Sequence, residues 1–233
     1  MVTAAPPGRV GGFVRRVDDV LRGRPWVTSS QASTSQLLLC IVIFGMFYGA
    51  CMGTYGGVGG DRAIQPLYAA VKVPLLLTAS FLLAIPSFYV LNLLMGVGSD
   101  FGQVLRALFA AQAGLTIVLA SLAPFTMLWY ASFSDHDNAI LFNAAMFTIA
   151  SAAAQRMLRV HYRALIASNP RHRQLRRVWL AIYAFVGIQF GWLLRPFIGA
   201  PNLPVTFFRS DSWGNAYVQV VHLIMSAMSG RGG

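Results

Sequence analysis

The most charged part of the chain reads QRMLRVHYR at 155–163 and, after Pro170, RHRQLRR at 171–177. Seven arginines in so short a stretch resemble a nucleic-acid-binding patch. The stretch nevertheless lies between two long apolar runs, so its context is that of a connection between membrane spans. In such a protein the arginines mark the side of the membrane on which the connection lies. The predicted fold therefore depends on whether this stretch binds nucleic acid or connects two membrane spans.

Composition supports the membrane interpretation. Of the 233 residues, 56% are hydrophobic and only 11% are charged, and the mean hydropathy is +0.60. These values lie outside the usual range of soluble domains. The 18 basic residues include one lysine, Lys72, and the seven acidic residues are all aspartate. Because the sequence has no glutamate, one of the common residue types for acid–base catalysis is missing.

Five apolar runs have about the length that a membrane span requires. We predict an all-α integral membrane protein with about five transmembrane helices plus N-terminal and C-terminal amphipathic helices. A cytoplasmic helix and polar linker at 1–36 precede a bundle at 37–200, in which a basic cytoplasmic loop at 155–177 joins the last two spans. A loop with prolines and a terminal amphipathic helix follow at 201–233. The predicted spans are 37–53, 67–94, 104–130, 139–158 and 178–198.

Both ends of the chain leave alternatives open. The helix predicted at 10–21 has an apolar face and a basic face, which suits either a membrane surface or the cytoplasmic side of the protein itself. The segment at 213–228 has sixteen residues and a polar stripe. This pattern favours an interfacial or re-entrant helix over a sixth span.

Arginine distribution predicts the orientation. With five spans, thirteen of the 18 basic residues fall on the side that carries the N-terminus and the 155–177 loop. The positive-inside rule then places that side in the cytoplasm. We expect the inner membrane of a bacterium as the location.

No catalytic constellation is found. Asp135, His136, Asp137 and His222 offer hard ligands, but their spacing matches no known metal pattern, and helix capping by the aspartates is the better interpretation. No serine, cysteine or histidine lies in a nucleophile-elbow context, and the predicted spans contain neither aspartate nor histidine. We predict a protein that is not an enzyme and that has no metal and no cofactor.

Polar residues inside the spans carry two possible meanings. Hydrogen bonds between helices explain them at about 0.6 kcal/mol each. The alternative is a polar path for a transported solute. For Lys72, one interpretation is that its side chain extends outward to the membrane surface or forms a structural ion pair, and the other is that it contacts the solute. The residues of the possible path are Lys72, Asn92, Gln112, Asn143 and Gln189.

Two groups of arginines are candidate sites for lipid or other anions, because guanidinium groups suit phosphate and carboxylate. A topology signal with local carbonyl contacts is the alternative in both places. The cytoplasmic group is Arg15, Arg16, Arg156, Arg159, Arg163, Arg171, Arg173, Arg176 and Arg177. On the opposite side the group is Arg195 and Arg209.

These observations favour a non-enzymatic polytopic membrane protein that acts as a scaffold or accessory subunit of a membrane complex. Its expected partners are anionic membrane lipids and other membrane subunits or further copies of the chain, but not nucleic acid. The alternative is a small transporter or channel subunit with a polar path near Lys72 and Asn143. A membrane enzyme ranks third.

Overall fold

The computed structural model describes residues 9–24, 34–199 and 204–208. Every regular element in these ranges is a helix, so the predicted all-α class is confirmed there. The terminal helix predicted at 213–228 and the predicted site residue Arg209 lie outside the described residues. The helices are α1 (Arg9–Leu21), α2 (Thr34–Gly53), α3 (Gln65–Leu94), α4 (Phe101–Ser132), α5 (His136–Ser168) and α6 (Arg171–Leu193), with short 3-10 turns at Gly60–Ile64 and Gly98–Asp100.

Successive helices run in opposite directions, so their connections gather at two ends. At one end, the imidazole of His172 lies 3.0 Å from the carboxylate of Asp100. This contact joins the α3–α4 turn to the start of α6, and we call this end the basic end. At the other, distal end, Arg62 donates to the carbonyl of Gly199 at 3.0 Å.

Glycine allows α2 and α3 to cross in close contact. A Cβ atom on Gly49 would lie 2.3 Å from the carbonyl oxygen of Ala69, and one on Gly53 would lie 2.6 Å from Cα of Pro66. Small residues permit such backbone approach in membrane proteins, where helices associate through packing rather than through exclusion of water.

Three helical segments are long and apolar enough to cross a membrane: Thr34–Gly53, Arg62–Leu94 and Gly98–Ser132. Large apolar side chains on these segments point away from the protein, including Phe47, Leu82 and Leu128 at 52%, 56% and 66% exposure. An exposed apolar surface on long helices is what a lipid environment stabilises. The structure therefore supports a membrane location for the chain.

The predicted loop at 155–177 is almost entirely helical, which corrects its description as a loop. α5 continues to Ser168, and α6 begins at Arg171. Only Asn169 and Pro170 separate the helices, because proline cannot continue α5 and the Asn169 side chain accepts the backbone N–H of Arg171 at 3.1 Å.

Helix boundaries also differ from those of the predicted spans. α2 begins at Thr34 rather than at residue 37, and α6 ends at Leu193 rather than at 198. The early end of α6 has a local cause, because Pro196 disfavours a helical conformation at Arg195. Side chains of the α3 region bind the carbonyl groups that follow.

α1 docks on the helices of the protein. Phe13 stacks on Phe44 of α2 with ring centroids 5.9 Å apart, and Val20 is 2% exposed in a cluster that includes Ile41 and Ile117. These contacts correspond to the docked alternative for this helix, although its partners are α2 and α4 rather than a loop.

Candidate functional site

The turn between α5 and α6 brings seven arginines together at the basic end. Three lie on the last turns of α5 and four on the first turns of α6, and because the two helices are antiparallel these turns are neighbours. All seven are exposed except the half-buried Arg176. The set, called the arginine cluster below, is Arg156, Arg159, Arg163, Arg171, Arg173, Arg176 and Arg177.

The arginine cluster is an uncompensated concentration of positive charge. The pKa of Arg176 is lowered by burial and then by repulsion from Arg159, Arg177 and Arg173. Within the described ranges, no carboxylate forms an ion pair with any member of the cluster. Such an arrangement attracts anions.

α1 shows the contrasting arrangement. Arg22 and Arg24 pair with Asp18 and Asp19 at 2.8 Å and 2.9 Å. These two arginines therefore have their charge balanced locally, and they serve below as a reference for the arginine cluster.

The predicted site residues Arg15 and Arg16 lie on α1, outside the arginine cluster. A Cβ on Gly23, just after α1, would lie 3.4 Å from a side-chain carbon of Val160 on α5. Arg15 and Arg16 are exposed and lie about 10 Å back along α1 from this contact, at 1.5 Å per residue. They extend the positive surface away from the arginine cluster.

Two contacts that sequence reasoning missed hold the basic end together. His172 is fully buried and meets Asp100, as described above. Arg171 donates to the backbone carbonyl of Met95 at 2.8 Å. Both contacts hold the start of α6, which carries four of the arginines, against the α3–α4 turn. Pairs 72 and 76 residues apart in the chain leave no local signal in the sequence.

Lys72 is fully buried, and its ammonium donates to the carbonyl of Pro196 at 2.7 Å. Gln65 donates to the carbonyl of Phe197 at 3.1 Å, and Arg62 to that of Gly199. Three side chains of one segment thus bind three carbonyl groups of another. We call this arrangement the carbonyl clamp.

Asn143 is the centre of a second buried polar group. Its carbonyl oxygen accepts from the hydroxyl of Tyr48 at 3.0 Å, and its amide donates to the hydroxyl of Tyr130 at 2.7 Å and to the carbonyl of Ala139 at 2.8 Å. The three side chains connect α2, α4 and α5. Sequence reasoning selected Asn143 but not its tyrosine partners.

The remaining residues of the possible polar path occupy separate places. Asn92 donates to the carbonyl of Phe88 in its own helix at 2.8 Å. Gln112 donates to the hydroxyl of Tyr183 at 2.8 Å and so links α4 to α6. Gln189 is half-buried on α6. Of the five residues, Gln112 and Asn143 line the same cavity and the other three are not in its lining.

That cavity has a volume of about 770 Å³ and opens between α5 and α6, with α3 and α4 behind it. We call it the lateral cavity. Its wall is mainly apolar, and the few polar groups include Ser80, Gln112 and Asn143. Arg195 lies at its distal end, with the guanidinium carbon 3.3 Å from the centre of the Trp192 ring. A volume of this size and polarity is typical of small-molecule sites.

The acidic turn before α5 behaves as a helix cap. The carboxylate of Asp135 accepts from the backbone N–H of Asn138 at 2.9 Å, and the ring of His136 packs 5.5 Å from that of Tyr55. Over 9–24, 34–199 and 204–208, no group of three His, Cys, Asp or Glu residues is arranged to hold a metal ion.

No protein-family model matches the chain, and searches of curated proteins and of solved structures give no match to it.

Proposed function

We propose that this protein is a non-enzymatic polytopic membrane protein that serves as a scaffold or accessory subunit of a membrane complex. In this proposal α2 to α6 each contain one membrane span, the basic end is cytoplasmic and the membrane is a bacterial inner membrane. Membrane lipids with anionic head groups bind the arginine cluster, and other subunits or further copies of the chain bind beside them.

One observation carries the proposal: seven arginines on two adjoining helices have no ion-pair partner among the described carboxylates. A positive surface of this kind at the end of apolar helices favours anionic head groups, at about 1 kcal/mol per arginine near a charged leaflet. The alternation of the five helices between two ends agrees with five spans.

The lipid part of the proposal is tested by replacing two exposed members of the cluster. Arg173→Gln with Arg177→Gln should weaken binding of phosphatidylglycerol to the purified protein in neutral detergent by about 30-fold, from about 1 kcal/mol per charge. Native mass spectrometry measures the bound lipid. The matched control is Arg22→Gln with Arg24→Gln, which removes the same charge from ion-paired positions. If both double variants lost the same amount of phosphatidylglycerol binding, the lipid would respond only to the net charge of the protein and not to the arginine cluster.

The orientation is tested with single cysteines in a background of Cys40→Ala and Cys51→Ala. Ser168→Cys reports the basic end, and Ser134→Cys reports the distal end. An impermeant thiol reagent added to intact cells should label the distal-end cysteine alone. Labelling of the basic-end cysteine instead would reverse the orientation, and labelling of both from one side would contradict the odd number of spans between them.

A small transporter or channel subunit is the second candidate function, because Gln112 and Asn143 line one cavity. In that case Gln112→Leu should abolish flux of the transported solute through reconstituted vesicles and leave the fold intact. The scaffold proposal instead predicts that the chain retains a membrane partner during purification, and that the two arginine substitutions of the cluster release it.

A further inference from the structure

We propose that the lateral cavity binds one long-chain amphiphile with an anionic head group, its chain between α5 and α6 and its head group at Arg195. This site is separate from the arginine cluster, which lies at the opposite end of the same helices. The inference therefore goes beyond the function proposed above and stands on different residues.

The dimensions of the cavity suit an extended apolar chain. Trp179 and Trp192, which both line it, are thirteen residues apart on α6, which corresponds to about 20 Å along a helix. One leaflet of the hydrocarbon core is about 15 Å thick. A chain that enters from one leaflet thus finds a wall of matching length. The volume of about 770 Å³ lies within the range of about 300–1,000 Å³ that is usual for ligand sites.

Small residues contribute to both facing walls of the cavity. Ala144, Ser151 and Ala154 line the cavity on α5, and Gly187 and Gly191 line it on α6. Surfaces of this kind usually let two helices pack directly on each other. Here they border a cavity instead. A Cβ added to Gly191 would meet no atom within 4 Å.

A buried hydroxyl without a partner also lies next to the cavity. Ser80 is 1% exposed and lines the cavity, and its hydroxyl has no hydrogen-bond partner among the described residues. A hydroxyl left unsatisfied in an apolar surrounding costs free energy. A ligand oxygen, such as that of an ester or a hydroxylated chain, would accept its hydrogen bond.

Charge selects the head group. Arg195 is the single charged side chain in the described lining of the cavity, and its guanidinium is stacked on the ring of Trp192 at the distal end. Stacking orients the planar guanidinium, whose N–H groups suit a carboxylate or a phosphate. Fatty acids and anionic phospholipids share this chemistry.

The test measures binding to purified protein in neutral detergent by native mass spectrometry. Arg173→Gln and Arg177→Gln form the background, which weakens lipid binding at the basic end. Palmitate is compared with hexadecanol, which has the same chain and no charge, and phosphatidylglycerol with diacylglycerol. We expect one bound anionic amphiphile per chain. The stronger of the two anionic probes identifies the source of the head group.

Two variants locate the site. Gly191→Leu fills the cavity from a position where the added side chain has space, and it should reduce binding at least about tenfold. Ala181→Leu adds the same side chain on an exposed part of α6 outside the lining, and it should leave binding unchanged. Arg195→Gln should weaken palmitate about tenfold and leave hexadecanol unaffected.

Three results would overturn the inference. The first is equal binding by Gly191→Leu and Ala181→Leu. The second is equal binding of palmitate and hexadecanol to the protein with Arg195 intact. The third is the loss of an oligomer or partner subunit in Gly191→Leu without loss of amphiphile, which would identify a helix as the occupant. A far-ultraviolet circular dichroism spectrum and an unfolding curve like those of Ala181→Leu show that Gly191→Leu is folded.

Discussion

The ammonium of Lys72 lies 2.7 Å from the carbonyl oxygen of Pro196, 124 residues further along the chain. The ring of Phe207 also lies beside the ammonium, with its centre 4.8 Å away. A buried cation held by a carbonyl group and an aromatic ring is a structural contact. It fastens the segment after α6 to α3, together with Gln65 and Arg62.

Replacing Lys72 by methionine should therefore destabilise the protein. The substitution keeps the length of the side chain and removes the donor, so the carbonyl of Pro196 loses its charged partner. We expect a loss of about 1–3 kcal/mol in the free energy of unfolding, measured by denaturant titration in detergent. Lys72→Gln, which retains a donor, should lose less. Equal stability of Lys72→Met and the original protein would contradict the carbonyl clamp.

The hydrogen bond between Tyr48 and Asn143 should have a measurable coupling energy. Tyr48→Phe and Asn143→Leu each remove one side of the contact, and the double variant completes a thermodynamic cycle. Contacts of this type in membrane proteins contribute about 0.6 kcal/mol, and we expect at least that value because both residues are buried. Strictly additive losses of stability would show that the contact contributes nothing.

The crossing of α2 and α3 should tolerate no side chain at Gly49. Gly49→Ala places a Cβ 2.3 Å from the carbonyl oxygen of Ala69, so one backbone must move. We expect a loss of at least about 1–3 kcal/mol in the unfolding experiment above. Gly59→Ala is the control, because a Cβ there meets nothing within 4 Å, and it should change stability little.

Acid should weaken the docking of α1 through His161 on α5. Burial lowers the pKa of His161 below its ordinary value of 6.5, and its ring lies 3.7 Å from where a Cβ on Gly23 would be. The unfolded chain therefore binds more protons than the folded one between the two pKa values. Stability from this residue is complete above pH 6.5 and decreases as the pH falls through the folded pKa.

His161→Gln should remove that part of the pH dependence. The measurement is the free energy of unfolding of both proteins from pH 8 to pH 5, on the range in which histidine titrates. The two curves should differ most at the acidic end. Parallel curves over the whole range would show that His161 is not responsible.

The helices could be predicted from the sequence because their signals are local. Apolar runs, Pro170 and the cap at Asp135 lie close to the elements they define, and the structure has helices at all five predicted spans. The ends of the spans were harder. α6 stops at Leu193, shortly before Pro196, and the side chains of the α3 region that bind the carbonyl groups beyond it are too distant in the sequence to be predicted from it.

The candidate site shows the same division. The arginine cluster lies within one short stretch of the sequence, residues 156–177, so the sequence alone predicts it. The five residues of the polar path were chosen by chemical type alone, and their partners, such as Tyr48 for Asn143 and Tyr183 for Gln112, come from other helices. Small residues such as those at Ala144 and Ser151–Ala154 are typical of close helix packing in membranes. The structure places Ala144, Ser151 and Ala154 on the wall of the lateral cavity, because small side chains suit a cavity wall as well as a helix interface.

α5 and α6 carry the arginine cluster at one end and border the lateral cavity along their length. Because only two residues separate these helices, a change in the angle between them would change the width of the cavity. A ligand that contacts both α5 and α6 at the basic end, and that favours one angle between them, would also change the width of the cavity. Linkage then requires reciprocity: whatever factor a basic-end ligand imposes on affinity in the cavity, a ligand in the cavity imposes on the basic end.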